Sequence, residues 1–407
     1  MTAGAAEELL WRTIKGGVCA PQGFLAAGVQ CGIKNKGRDL AVLLSERPAT
    51  VVGAFTTNWV KAAHVLLCQQ RAAGRLGRAL VINSGNANCL TGEQGRRNAE
   101  RTAEIAAQAL GLEPRDVLVA STGLIGVQLP MDKVEQGIKE AAASLSRSAG
   151  AAAARAIMTT DTKPKEIAVE FTIEDKAVRV GAMAKGAGMI CPQMATMICV
   201  VTTDAVVPVE SLELSLRWAV DRSFNCISVD GDMSTNDTVL LFANGASGVR
   251  LQKPEQLQRF QQVLDHVTLR MAQAIVRDGE GATKMMEIRV AGAREYADAH
   301  RIALTIANSL LVKTAVFGAD PNWGRFLAAA GRAGVEIEQG RIDLFFGDLQ
   351  VVRGGEGLPY DEALARQALL GPEVKVAMDL HLGPHSATLF TCDLTPKYVR
   401  FNSAYTT

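Results

Sequence analysis

The chain has 407 residues, of which 48% are hydrophobic and 21% charged, and its formal net charge at pH 7 is +1. A chain of this length and apolar content can bury substantial cores and predicts two or three domains, which excludes a disordered or fibrous protein. The 43 basic residues nearly balance the 42 acidic ones without a long basic run, so a small metabolite is a better partner than nucleic acid.

The N-terminal residues do not resemble a targeting segment. Glu7 and Glu8 are present, and no apolar core precedes a cleavage site, whereas a mitochondrial presequence would be basic and poor in acids. The apolar runs are interrupted well before the roughly 20 positions that a membrane helix needs. We therefore expect no membrane partner and a soluble, cytoplasmic protein.

The first half of the chain alternates strand-like and helix-like stretches. Short β-branched runs predict strands, and alanine-rich stretches with helical spacing predict helices. The predicted strands are 41–46, 51–57 and 79–84, and the predicted helices are 98–112 and 134–158. A hairpin then follows, because apolar and polar residues alternate on both sides of Glu174 and Asp175.

The middle of the chain, residues 185–205, reads KGAGMICPQMATMICVVTTDA. Its Ala195-Thr196 bond lies just before an apolar, β-branched run, 197–201, that predicts a buried strand. If that bond is cut, Thr196 gains a free α-amine with a pKa of about 8. This amine can take the hydroxyl proton, so the threonine becomes a nucleophile without a separate histidine or aspartate.

Two interpretations of Thr196 remain open on these residues alone. A threonine at the start of a buried strand is most often a turn or edge residue. The preceding segment favours the nucleophile, because Gly186, Gly188 and Pro192 impose the irregular backbone that a strained, self-cleaving turn needs.

The second half predicts two amphipathic helices and then a smaller α/β unit. The helices are 209–223 and 254–277; the later strands are 287–292, 301–307, 335–339, 342–347 and 349–352, with a helix at 323–332. The change of pattern places a boundary near residue 285. We therefore predict a catalytic α/β domain over 1–285 and a smaller α/β domain over 286–407.

Three segments are candidates for a binding site. The run VLVASTGLIG predicts a strand, 117–120, that enters a Ser-Thr-Gly turn, whose N–H groups can form a nest for an anion; an ordinary turn is the alternative. Lys185 can pair with a carboxylate and Glu280, in a glycine-flanked loop, with an ammonium group. A solvated lysine and a plain turn are the alternatives for these two.

Several other chemistries have no support in the sequence. The eight cysteines show no CxxC spacing and are expected to be reduced and mostly buried, and the five histidines form no HExxH or triad-like pattern, so no metal site is predicted. The strict glycine-rich phosphate motifs do not occur either. Coenzyme A, if it is used, must bind by other contacts.

Seven further segments stand in order around the Ala195-Thr196 junction. With it, they resemble the ornithine acetyltransferase family of arginine biosynthesis, also called the bifunctional glutamate N-acetyltransferase/amino-acid acetyltransferase family. The segments are GGVCAPQGFLAAGV at 16–29, NSGNAN at 83–88, STGLIG at 121–126, MTTDT at 158–162, DGEGATK at 278–284, DPNWGR at 320–325 and YVRFNSAYTT at 398–407.

This resemblance implies both a fold and a reaction. The implied fold is an N-terminal-nucleophile-like, layered α-β-β-α sandwich with a second, smaller α/β domain. The chain would cleave itself between Ala195 and Thr196 and move the acetyl group from N2-acetylornithine to glutamate through an acetyl-Thr196 intermediate. Acetyl-CoA is a second candidate donor, no cofactor is expected to stay bound, and two alpha and two beta chains would form a heterotetramer.

The resemblance also assigns site residues. Thr122 and Gly123 would form the oxyanion hole. The substrate-binding positions fall on Thr159, Lys185, Thr196, Glu280, Asn402 and Thr407. Because Thr160 is adjacent to Thr159, either of the two can face the substrate. The last two positions imply that the C-terminal tail folds into the site from a strand-like anchor at 398–401.

Two other functions stay open. An N-terminal-nucleophile aminopeptidase or amidohydrolase would share the processing step but pass the acyl group to water. A binding protein would leave the chain uncleaved, with Thr196 in a structural role.

Overall fold

The computed structural model describes residues 10–72, 76–191 and 197–404. Ala195, Thr196 and Thr407 lie outside these ranges. The strands are β1 (Arg12–Ile14), β2 (Phe24–Val29), β3 (Leu40–Phe55), β4 (Leu76–Asn86), β5 (Val117–Leu124), β6 (Lys165–Ile173), β7 (Lys176–Lys185), β8 (Ile198–Thr203), β9 (Ile227–Ser228), β10 (Thr238–Ala243), β11 (Met285–Ala293), β12 (Asp343–Phe346), β13 (Leu349–Arg353), β14 (Glu356–Gly357), β15 (Glu373–Asp379) and β16 (His385–Cys392).

Helices lie between these strands, singly or in groups, and after the last strand. They are α1 (Ala63–Ala72), α2 (Gly92–Leu110), α3 (Met131–Ala143), α4 (Gly150–Ala156), α5 (Val209–Asp221), α6 (Pro254–Arg277), α7 (Tyr296–Ala307), α8 (Leu310–Gly318), α9 (Trp323–Gly331), α10 (Glu362–Leu370) and α11 (Pro396–Ala404). No single helix in the described ranges is long and apolar enough to cross a membrane; α7 and α8, bent by 61° at their junction, meet that test only as a pair.

A nine-stranded sheet contains β1 to β8 and β10, in the order β1-β6-β7-β8-β10-β3-β4-β5, with β2 paired to β3. Strand β8 lies between β7, which is antiparallel to it, and β10, which is parallel. The predicted hairpin is confirmed by β6 and β7, whose turn places Glu174 and Asp175 at positive φ. The strand that follows the predicted junction is therefore central in the sheet.

Strand β3 joins two parts of this sheet. Its first residues pair with β2 and β4 and its last with β10, and the β4 register shifts between Leu44 and Ala49. The prediction of separate strands at 41–46 and 51–57 is therefore wrong. Glu46, Arg47 and Pro48 interrupt the apolar pattern, but they lie exposed at this irregularity, so the strand continues through them.

The central strands are buried on both faces. Ile198 and Val200 of β8 belong to a core with helices α2, α3 and α4, whereas Cys199 and Val201 belong to a core with α5 and α6. A strand covered on both faces reads as a continuous apolar run. The buried strand predicted at 197–201 is thus confirmed.

A seven-stranded sheet contains the strands after residue 285, in the order β14-β13-β12-β15-β11-β16-β9. Side chains of α7, α8 and α9 form a third core with it. With two mixed sheets and helices on their faces, the predicted α/β class is confirmed. Strand β11 begins at Met285, yet β9 precedes that residue and pairs with β16. The division into domains at 285 stays a prediction.

Two predicted elements of the second half are wrong. Residues 301–307 belong to helix α7, because Ala299, Ile302, Ala303 and Ile306 follow the helical spacing and are all buried. Residues 335–339 form no strand; there the chain leads into a short 3-10 helix at Gln339–Arg341. The predicted strand does not form, because no neighbouring strand pairs with these five residues in the described structure.

Two further predictions are corrected. The single helix predicted at 134–158 is two helices, α3 and α4, because the intervening Ser146 exchanges backbone hydrogen bonds with Ala26 of β2. The strand-like anchor predicted at 398–401 is part of helix α11. Pro396 is its first residue, which suits the fixed φ of proline, and the Thr395 hydroxyl accepts the Lys397 N–H.

Candidate active site

A pocket brings together six of the eight residues that the resemblance assigned. It lies where the ends of β5 and β7 meet the loops before β10 and after α6. Its lining includes Thr122, Gly123, Thr159, Thr160, Lys185, Glu280 and Asn402. Thr159 and Thr160 both line it, so the choice between them stays open. Thr196 and Thr407 lie outside the described residues.

Strand β5 supplies Thr122 and Gly123. The predicted Ser-Thr-Gly turn is wrong, because β5 continues through these residues to Leu124, paired with β4. Gly123 has φ of +132°, and a Cβ there would overlap the backbone of Gly85 on β4. Only glycine fits both this dihedral angle and this close approach to β4. The glycine therefore allows β5 to end in an irregular backbone.

Two buried side chains hold this part of β5. Asn236 donates to the carbonyl oxygens of Ser121 (2.8 Å) and Ala87 (2.7 Å), and the Ser121 hydroxyl donates to Asn83 Oδ1 (2.7 Å). These bonds fix the peptide group between Ser121 and Thr122. A preorganised peptide dipole is what an oxyanion site requires, since it does not reorient during the reaction.

Lys185, the last residue of β7, is fully buried beside this strand. Its Nζ donates to the Thr122 hydroxyl at 3.3 Å. Burial lowers the pKa of Lys185, while the nearby Asp161 charge opposes that shift. A buried ammonium group needs such a counter-charge, so Asp161 stabilises the charged form of Lys185.

Asp161 is a site residue that the sequence did not single out. Its carboxylate accepts the N–H groups of Gly186 (2.7 Å) and Thr159 (3.0 Å) and the Lys165 ammonium (2.6 Å). Burial disfavours the charge, yet Lys185, Lys165 and the Gly186 N–H lower the pKa of Asp161 to about 2. The segment MTTDT carried this signal, but only its threonines were assigned.

Lys165 extends the network to the end of helix α6. Its Nζ lies 2.5 Å from Asp278 Oδ2, and both side chains are buried. Asp278 also accepts the N–H of Thr162 at 3.0 Å and its hydroxyl proton. The network thus fixes the loop after α6, which carries Glu280, against the loop that carries Thr159.

Glu280 reaches the pocket over Gly188. Its N–H donates to the Ala187 carbonyl at 2.8 Å, and a Cβ at position 188 would overlap its carboxyl group. Asn402 of α11 donates to Glu280 Oε2 at 2.9 Å. A cation at Lys185 and an anion at Glu280 therefore line one small pocket.

Helix α11 is held against this region by further contacts. The Tyr398 hydroxyl donates to Asp230 Oδ2 (3.3 Å), and Asp230 accepts the N–H groups of Met189 and Ile190 at 2.6 and 2.8 Å. The Thr395 hydroxyl donates to the Gly281 carbonyl at 2.7 Å. The described part of the C-terminal segment thus lies against the pocket.

The polar run Ser234-Thr235-Asn236-Asp237 before β10 also belongs to the site, although no sequence motif singled it out. Three of its members line the pocket, and the fourth, Asp237, accepts the Met197 N–H at 2.9 Å. Burial raises the pKa of Asp237 well above its usual range. Four polar residues directly before an apolar strand were the available signal.

The described residues contain neither an activated thiol nor a metal-binding cluster. All eight cysteines are free, and burial raises the pKa of Cys191 to about 11, so it is a thiol at neutral pH. Across residues 10–72, 76–191 and 197–404, no group of three or more His, Cys, Asp or Glu side chains has metal-binding geometry.

The mixed α/β fold and the charged pocket define an α/β enzyme that acts on small molecules. The chain belongs to the ArgJ family, whose model matches residues 25–407. The family expected from the sequence is therefore confirmed.

Three known proteins illustrate the relationship. The arginine biosynthesis bifunctional protein ArgJ of Symbiobacterium thermophilum is 51% identical over 399 residues, 97% of this chain and 99% of that protein. The protein of the same name from Caldanaerobacter subterraneus is 45% identical over 400 residues, with 97% and 99% coverage. A crystal structure of the Bacillus halodurans protein is 39% identical and covers 51% of this chain and 98% of that one, with a TM-score of 0.49.

Proposed function

We propose that this protein is a self-processing acetyltransferase that moves the acetyl group of N2-acetylornithine to glutamate in arginine biosynthesis. The observation that carries the proposal is the pairing of Lys185 with Thr122 opposite Glu280 with Asn402 in one pocket. A carboxylate and an ammonium group, which every free amino acid carries, match these two charges. The names of the curated relatives, arginine biosynthesis bifunctional protein, agree with such substrates.

The proposed reaction begins with cleavage of the Ala195-Thr196 bond. Thr196 Oγ then attacks the acetyl carbonyl carbon, and its own α-amine accepts the hydroxyl proton. The oxyanion is stabilised by donors at Thr122 and Gly123, and a donor of this kind contributes about 3 kcal/mol to transition-state binding. The C–N bond breaks, the amine nitrogen takes the proton, and ornithine leaves an acetyl ester on Thr196.

The second half-reaction reverses these roles. The amine of glutamate attacks the ester carbonyl, the Thr196 α-amine accepts a proton from the attacking nitrogen, and Thr196 Oγ leaves and is protonated. N-acetylglutamate is released. Acetyl-CoA is proposed as an alternative donor that would acetylate the same hydroxyl, with coenzyme A as the leaving thiol.

The proposal includes an assembly and a location. Cleavage would give chains 1–195 and 196–407, and two copies of each would form the heterotetramer. Strands β7 and β8, from opposite sides of the cut, pair along their length and share a core. We therefore expect the two chains to stay associated, in the cytoplasm.

The deciding experiment combines a denaturing gel with a transfer assay. The purified protein should give two bands and should release ornithine from N2-acetylornithine much faster with glutamate than without it. The variant Thr196→Ala should give one full-length band and no transfer. Normal cleavage in that variant would refute the nucleophile, and ornithine release independent of glutamate would instead indicate an amidohydrolase.

Whether acetyl-CoA also serves as an acetyl donor needs a separate assay. Formation of N-acetylglutamate from acetyl-CoA and glutamate by the wild-type protein would establish the second activity. Thr196→Ala should abolish this reaction as well, because both donors are proposed to acetylate one hydroxyl.

A further inference from the structure

Asp237 is a buried acid that the proposed reaction does not use. It stands directly before β10 and is fully buried. Its Oδ1 accepts the Met197 N–H at 2.9 Å, and the Ser234 side chain lies close enough to lower its pKa, but Oδ2 has no partner of good hydrogen-bond geometry within the described part of the chain. An unpartnered buried carboxyl oxygen is costly and requires an explanation beyond packing.

The bond from Met197 links this acid to the proposed nucleophile. Its N–H bonds to Asp237, and its carbonyl accepts the N–H of Thr238 at 3.1 Å. The nitrogen that Asp237 holds is covalently bonded to the carbonyl carbon of Thr196. The carboxyl group of Asp237 therefore contacts the peptide group that directly follows the proposed nucleophile.

We propose that Asp237 is a positioning residue that fixes the peptide group between Thr196 and Met197 and so aims the nucleophile at the acetyl carbonyl. The inference rests on the proposed function. Orientation of this kind is worth a large factor in rate, because a displacement of about 1 Å can cost about a hundredfold.

The protonation state of Asp237 follows from its surroundings. One charged group acts on it, Lys185 at the end of β7, whose charge favours the ionised acid. The neighbouring residues Asn236 and Thr238 also contact a second titratable group, His64 of α1. Burial lowers the pKa of His64 to about 4, so it is neutral. Burial of Asp237 outweighs the Lys185 charge and raises its pKa, which favours the neutral acid.

A neutral acid suits the chemistry of its neighbour. A carboxylate bonded to the peptide N–H that follows Thr196 would favour the ammonium form of the α-amine of that residue and raise its pKa. The amine could then no longer accept the hydroxyl proton at neutral pH. A neutral carboxyl group can hold the Met197 N–H without this penalty.

Substitutions that keep or remove the acceptor test the proposal. Asp237→Asn keeps a neutral acceptor for the Met197 N–H, whereas Asp237→Leu removes it at similar size. We expect Asp237→Leu to lower kcat about a hundredfold with little change in KM. The same variant should slow self-cleavage. In Asp237→Asn, kcat and the rate of self-cleavage should both lie within about tenfold of wild type.

Asp204 offers a matched control at the other end of β8. It is also buried with a raised pKa and accepts the backbone N–H groups of Gln22 and Arg179. Asp204→Asn and Asp204→Leu should change the melting temperature but leave kcat of the folded protein unchanged. Equal losses of kcat in the Leu variants at 204 and 237 would overturn the proposal, because both would then act through stability.

Two further readouts test the neutral state. The acidic limb of the kcat/KM profile should keep its midpoint in Asp237→Asn, and the infrared difference spectrum against wild type should show the carbonyl stretch of a protonated acid. A midpoint lowered by about one pH unit, with no such band, would mean that Asp237 is ionised and would overturn this point.

If wild type transfers acetyl groups only to water, the proposed acceptor fails, yet cleavage and hydrolysis rates of the same variants still test Asp237.

Discussion

Gly123 shows how one residue type determines the geometry of a strand end. The positive φ of Gly123 and its approach to Gly85 are both closed to other residues. The resulting irregularity falls where the hydroxyl of Thr122 meets Lys185. In a regular strand, the peptide groups of this region would all bond to β4. The irregular backbone at Gly123 and Gly85 can leave a peptide N–H free to bond to a substrate.

Thr122→Ala should lower kcat by about ten- to a thousandfold, because the variant disturbs an oxyanion donor that acts only in the transition state. KM should change much less. Thr122→Ser, which keeps the hydroxyl bonded to Lys185, should retain most of the turnover. Steady-state kinetics with N2-acetylornithine and glutamate measure both. Lower stability with a normal kcat in the alanine variant would show that the strand end is structural only.

Gly188→Ala should raise KM, because the added methyl group would displace the Glu280 carboxyl that lies over this glycine. The loss of one charge-assisted contact to a substrate ammonium corresponds to about a tenfold increase. Gly331→Ala is the control, since Gly331 ends helix α9 and has open space around its α-carbon. Unchanged kinetics in Gly188→Ala would remove Glu280 from the site.

At the scale of elements, one ion network joins three parts of the chain. Asp161 bonds to Gly186 after β7, Lys165 begins β6, and Asp278 ends α6. The three charged side chains are nearly inaccessible to solvent. Breaking a buried pair by removing one partner leaves an uncompensated charge, which typically costs about 3 to 5 kcal/mol.

The free energy of unfolding should depend on pH at acidic values because of the low pKa of Asp161. Its folded pKa of about 2 is below the ordinary value of 3.8, so its stabilising contribution is complete above pH 4 and is lost as pH falls through 2. The unfolding free energy of wild type should therefore exceed that of Asp161→Asn by about 3 kcal/mol near neutrality and by less at low pH. Urea titrations across this range measure the difference.

Glu135→Gln provides the control for that experiment. Glu135 pairs with Lys139 on the surface of α3, where solvent screens the charges. Its substitution should leave the stability nearly unchanged at every pH. A constant difference between wild type and Asp161→Asn over the whole range would contradict the low pKa of Asp161.

The elements that the sequence predicted well are those with long periodic patterns. Helix α6 has the predicted ends, and the β6–β7 hairpin and strand β8 lie where alternation and a continuous apolar run placed them. The errors fell on short stretches and on a break inside a long one, at Ser146 within the helix predicted at 134–158. The run 301–307 is apolar and β-branched, and its helical period is clear only when Ala299, before the run, is read together with Ile302, Ala303 and Ile306 inside it.

Some site residues could be predicted from local motifs and others could not. Thr122, Lys185 and Glu280 stand in distinctive glycine-containing motifs, so the resemblance could assign them. Asp161 and Asp237 act through partners that are distant in sequence, such as Lys185 for the first and Met197 for the second. No local pattern reports a contact of that kind, and only the folded chain brings these groups together.

At the scale of the whole molecule, the last helix connects the second sheet to the pocket. Strand β16 ends at Cys392, and the Asp393 carboxylate accepts the N–H groups of Thr283 and Lys284 at 2.8 and 3.0 Å. The chain then runs through Thr395 into α11, where Asn402 bonds to Glu280. The C-terminal segment thus closes a site whose other described residues come from the first 280 positions.

Removal of residues 404–407 tests whether this closure matters for the reaction. C-terminal residues are usually frayed and dispensable, so wild-type behaviour is the ordinary expectation for such a truncation. Helix α11 has no buried residue of its own, and its position depends on polar contacts such as Tyr398 with Asp230.

If Asn402 and Thr407 contact the substrate, the truncated protein should lose about a hundredfold or more in kcat/KM while its melting temperature and self-cleavage stay close to wild type. Asn402→Ala should raise KM with little loss of stability, because it removes the contact to Glu280 and one exposed bond to the Tyr398 carbonyl. Kinetics, a denaturing gel and a melting curve on both variants measure this, and wild-type rates in both would remove the tail from the site.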